Sequence, residues 1–184
     1  MSEQRLRSDA DLWVELVEAE ERYHAAHWKF NRYCGDRVEV FRNALKGVRG
    51  RATALRLLLN AREDERRSLL PTLIDLASVG TADIGLVRDV IKSLDRTWVL
   101  QHIGRYSDPV LASGGYEEYR RLAELFRELD SPALLSELVK KALGSSDPDV
   151  REVGEDFRQE LATPGDRSLA EGNGDGTGSG SSVA

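Results

Sequence analysis

Glu21, His24, His27 and Cys34 are the residues whose types could do chemistry within one short span of this chain. Glu21 and His24 have the Glu-x-x-His spacing used in di-iron helical bundles. His24 and His27 lie one helical turn apart, close enough to chelate one ion. A di-iron site needs a second such pair and further glutamates, and His102 has no glutamate three residues before it. No third or fourth ligand accompanies His24 and His27, so the spacing predicts two histidines on a helix flank and no metal. Cys34 with a histidine would suggest a thiol nucleophile, but its place beside Gly35 predicts packing at a helix end. The chain has no Gly-x-x-x-x-Gly-Lys-Ser/Thr loop and no Gly-x-Ser-x-Gly elbow. The glycines from Gly172 to Gly180 follow no strand and make no phosphate cradle. No catalytic residue, metal or cofactor is therefore expected, and the chain reads as non-enzymatic.

Charge is the sharper asymmetry. Residues 1–36 carry five basic and eight acidic side chains, residues 37–67 nine and four, and residues 68–184 twelve and twenty. The basic block contains Arg42, Lys46, Arg49, Arg51, Arg56, Arg62, Arg66 and Arg67, and such a cluster can bind phosphates. Phe41 is its only aromatic and lies on an apolar stripe, so stacking partners for bases are missing. The bland alternative is a solvated face matched to the chain's own acidic half. With a net charge of −6 and a pI near 5.2, the whole surface is not that of a nucleic-acid binder. Trp28 falls off the apolar stripe of its helix and joins the candidate interaction surface, because half-exposed tryptophan often anchors a partner. Trp13 and Trp98 sit near helix starts beside apolar residues, where core or staple packing is expected.

These residues need elements to position them. The 184 residues suggest one domain, or a domain plus a tail, and 40% hydrophobic against 32% charged residues suffices for a core. One cysteine allows no internal disulfide, which fits a reducing cytoplasm. The start, MSEQRLRSDADLW, has no apolar run of signal-peptide length, and no window approaches the ~18 apolar residues of a membrane span.

Ser8 followed by Asp9 and Asp11 predicts a helix start. Leu12, Leu16, Ala19, Tyr23, Ala26, Phe30 and Tyr33 then repeat at alternating steps of four and three, one face of a helix. Gly35 suits the exit, and Asp36 with Glu39 resembles a capping box. Val38, Phe41, Leu45, Val48, Ala52, Leu55 and Leu59 form a second stripe, interrupted by Gly47 and Gly50. Two stripes joined by a tight turn predict an antiparallel helical hairpin over residues 9–60, and the same pattern could pair two chains. Shorter helices follow: 62–79 with Pro71 inside, one opening at Thr81 or Asp83, 96–106 capped by Asp95, a short turn at Ser107–Pro109, 116–129, one opened by Ser131-Pro132 and one by Asp147-Pro148. No alternating strand of useful length occurs, so the fold class is all-α. Residues 1–162 form one helical domain, and the Gly/Ser-rich tail 163–184 is expected to be disordered.

Ala142–Leu161, ALGSSDPDVREVGEDFRQEL, resembles the HEAT-repeat pattern of a leucine-rich helix, an Asp-Pro turn and a Val-Arg opening of a second helix. Ile84–Leu94, with Val87-Arg88, looks similar. The resemblance spans about residues 68–161 and implies stacked helix pairs, with Val150 facing the core and Arg151 near the turn tying neighbouring repeats; Asp147 and Pro148 open the second helix. Gly154 departs from the pattern, where a small alanine is expected. The likeness to an α-solenoid implies a preformed surface for a protein partner, as in an adaptor, regulatory or immunity-type scaffold. The alternative assigns the segment 37–67 to nucleic acid, since some HEAT-like proteins bind DNA on a basic face.

Overall fold

A computed structural model describes residues 8–162 of the chain. Every regular element among them is helical, so the fold is all-α. The expected disorder of 163–184 concerns residues outside those described. The chain divides into two compact units, Met1–Ala54 and Leu55–Ala184, with the boundary inside a helix.

The first unit opens with α1, Asp9–Tyr33, and continues through a tight turn into α2, Arg37–Lys46. The second arm does not run on as one helix. It stops at Gly47, and Gly50 at φ 86° adopts a left-handed conformation that a side chain would oppose; α3, Arg51–Leu58, starts after it. At ~1.5 Å per residue, α2 reaches less than half the length of α1. The predicted hairpin is thus matched only at its closed end, where the rings of Phe30 and Phe41 meet edge-on at 5.6 Å. Asp36 accepts from the Glu39 amide and starts α2 as expected.

In the second unit come α4 (Glu63–Ser68), α5 (Leu70–Ala77), α6 (Ile84–Lys92), α7 (Arg96–Ser113), α8 (Tyr116–Glu128), α9 (Pro132–Leu143) and α10 (Pro148–Ala162). Pro71 divides the predicted 62–79 helix, because proline fits the first turn of α5 but not the middle of a longer helix. Pro109 does the opposite. The predicted turn at Ser107–Pro109 is absent, and α7 runs straight through it. Ser107 and Leu111 are buried on either side and hold the helix, while Arg105, whose carbonyl loses its donor, is exposed to water. Asp95 caps α7 through the Trp98 amide, at 2.7 Å. Ser131 and Asp83 make no side-chain cap; Pro132 alone supplies the preset backbone at the start of α9.

α5 packs on α6, α7 and α8, and α8 in turn on α7, α9 and α10. Leu70, Leu73, Ile74, Val87, Ile91, Leu122 and Leu125 are fully buried there. Each such side chain contributes ~1.5–3 kcal/mol. Gly154 has a packing reason: an added Cβ would sit 3.0 Å from Ala142 Cβ and Leu143 of α9, closer than even alanine accepts without a shift.

Candidate interaction surface

α1 is built to be a helix before anything packs on it. The Ser8 hydroxyl accepts from the Asp11 amide at 3.2 Å, while the Asp11 carboxylate accepts from the Ser8 amide and hydroxyl. Those bonds hold the Asp11 carboxyl below its ordinary range. Yet none of the 25 residues of α1 is buried. Leu12, Leu16 and Tyr23 of the stripe are 51%, 59% and 46% exposed. Trp13, expected in the core, is 65% exposed because α2 is too short to reach it. Trp28 is 59% exposed, with its ring edge-on to Tyr33 at 5.8 Å. A helix gains most of its stability from a packed apolar face, and within the described residues this stripe lacks one between Leu12 and Tyr23. The signal was in the sequence: Gly47 and Gly50 cut the second stripe at half the length of the first.

The basic segment is largely engaged. Arg42 pairs with Glu39, and Arg51 donates to the Leu45 carbonyl at 2.9 Å. Arg62 pairs with Asp64 and Glu65. Arg66 donates to the carbonyl and hydroxyl of Ser93, and Arg67 pairs with Glu63 while lying over the Trp98 ring at 4.8 Å. Lys46, Arg49 and Arg56 are exposed and make no ion pair among the described residues.

The positions taken from the repeat resemblance separate into two roles. Val87 and Val150 are buried. Arg151 donates to the carbonyls of Ser145 and Ser146, both at 2.9 Å, and so ties the turn before its own helix; Asp147 caps that helix through the Asp149 amide beside Pro148. Arg88 instead crosses to α8. It bonds Glu124 and Glu128, each at 2.7 Å, and Lys92 adds a second contact to Glu128 at 3.1 Å. Burial alone would push the Glu124 carboxyl up, but hydrogen bonds from Arg88 and Arg121 outweigh it and hold the group below its ordinary value. Glu128, with Asp89, raises Lys92 despite partial burial. No sequence spacing exposes this cluster, because its members lie 36 to 40 residues apart.

His24 lies 3.7 Å from Glu20, His27 stacks on Tyr23, and Cys34 is half-buried at the end of α1. Among the described residues no three His, Cys, Asp or Glu side chains gather as a metal site. No described helix is long and apolar enough to cross a membrane.

No family model matches the chain, and no solved structure matches it. Among curated proteins it is similar to the sensor histidine kinase GtrS of Pseudomonas aeruginosa, at 31% identity over 117 residues, which is 60% of this chain. The match spans 24% of that protein, so the chain corresponds to about a quarter of its curated relative.

Proposed function

We propose that the chain is a non-enzymatic protein–protein interaction module of the adaptor, regulatory or immunity type, acting in a reducing cytoplasm. The observation that carries this reading is α1: a well-capped helix with no residue buried, whose stripe residues Leu12, Leu16 and Tyr23 are exposed. The second unit, by itself, is a packed helical body cross-tied by partly buried ion pairs between α6 and α8. Binding of this kind works by shape and charge complementarity, with no bond made or broken. Similarity to a quarter of a protein named as a sensor histidine kinase fits a module that can form part of a larger chain. The nucleic-acid reading of residues 37–67 is weaker, because Arg42, Arg51, Arg62, Arg66 and Arg67 are already engaged within the chain.

The test is affinity capture with the full chain and with a Leu12→Ser, Leu16→Ser variant, each with and without nuclease. The expected result is a bound protein that resists nuclease, is lost with the variant, and binds the purified chain directly. Binding that disappears with nuclease, falls steeply with salt and survives the variant would move the function to the basic segment.

A further inference from the structure

We infer that the occupant of the α1 face is a second copy of this chain, its α1 running antiparallel to the first; the inference rests on reading α1 as the docking surface. Two independent features select it.

The first is side-chain size along the stripe. In heptad terms Leu16, Tyr23 and Phe30 occupy one seam position, and Leu12, Ala19, Ala26 and Tyr33 the other. Lay two helices antiparallel with full overlap, Asp9 of one level with Tyr33 of the other. Ala19 then faces Tyr23, and Leu16 faces Ala26, twice each by symmetry. Large meets small in every central layer, as close packing requires. A parallel pair in register sets Ala19 on Ala19 and Ala26 on Ala26, leaving gaps, and sets Tyr23 against Tyr23.

The second is charge. From Asp9 to Glu21 the helix carries six carboxylates and no base, and from Arg22 to Tyr33 it carries Arg22, Lys29 and Arg32 and no acid. A parallel pair would align six carboxylates with six. The antiparallel pair lays each acidic half over a basic half, and opposite charge across an interface sets both orientation and partner. A chain partner of other composition would need the same reversed charge order, which α1 itself already supplies.

The whole chain tests this without substitution. Light scattering from low to high micromolar concentration should approach twice the 20.5 kDa chain mass. Cys34, the one cysteine, stands at the end of α1 and takes a spin label. Electron–electron distance measurement should then give about 40 Å between the two labels, the ~1.5 Å rise per residue taken over the helix. A separation under about 20 Å would mean a parallel pair, whose axes lie ~8–10 Å apart, and would overturn the inference. So would a monomeric mass at every concentration. Leu16→Glu with Tyr23→Glu should return the mass to that of one chain, and a persisting dimer would equally overturn it. A monomer that still captures a protein through Leu12 and Leu16 defeats only the second-copy inference. A monomer that captures nothing defeats the functional reading as well.

Discussion

α1 and α8 are both amphipathic helices, and the chain treats them oppositely. In α8, Tyr119, Leu122, Ala123, Leu125 and Phe126 are all buried, against α5, α7, α9 and α10. In α1 the stripe from Leu12 to Tyr23 lies in solvent, and only Phe30, against Phe41, is half-buried. Part of the difference is in the helices: Trp13, Val14, Val17 and Trp28 spread apolar area around α1, whereas α8 gathers its apolar residues on one side. α8 has helices before and after it, α5, α7, α9 and α10, that pack on its apolar face, whereas α1 is followed by an arm that ends after ten residues. Apolar periodicity states that a face wants cover; it does not state where the cover comes from.

Three measurements would break or sharpen that contrast. Leu122→Ala should destabilise the chain by ~2–5 kcal/mol in denaturant unfolding, because a filled core site becomes a cavity. Leu16→Ala, at concentrations where the chain is monomeric, should change stability by under ~0.5 kcal/mol. Equal losses at the two sites would mean that α1 is packed in the free chain. Next, Arg88→Met should cost about 2 kcal/mol at neutral pH, since Glu124 and Glu128 lose their shared partner in a partly buried site and keep Arg121 and Lys92. Glu124 also sets a pH signature. Its carboxyl is lowered on folding, so its contribution is complete above the ordinary glutamate value of ~4.3 and is lost as pH falls through the lower folded value. Acid unfolding of Arg88→Met should therefore be flatter in that window; an unchanged acid limb would show that Arg88 does not hold Glu124. The most local effect belongs to Ser8→Ala, about 1 kcal/mol confined to α1. Amide exchange should quicken over the first turns of α1 and stay unchanged in α5–α10.

Much of the local structure was legible. Ser8, Asp36 and Asp95 cap as their types and positions imply, because a cap needs only residues within three of one another. The step pattern placed α8 to within a residue. Proline was less readable, since the same residue divides one segment at Pro71 and is absorbed at Pro109. What decides is whether tertiary burial on both sides outweighs one lost backbone hydrogen bond. Of the candidate surface, exposed Trp28 was anticipated, while Leu12, Trp13, Leu16 and Tyr23 were assigned to a core that the second arm is too short to make.

From the sequence alone came the all-α class, the helix starts at Ser8, Asp36, Asp95 and Pro148, the charge order along α1 and the Val150 and Arg151 positions beside the Asp-Pro turn. All of these are set by neighbours in the chain. Only the tertiary structure decided that Arg88 reaches α8, that Gly154 admits α9 at close range, that most of the basic segment is occupied within the fold, and that α1 lies bare. Those outcomes depend on side chains dozens of residues apart meeting or failing to meet, and burial, not spacing, determines which.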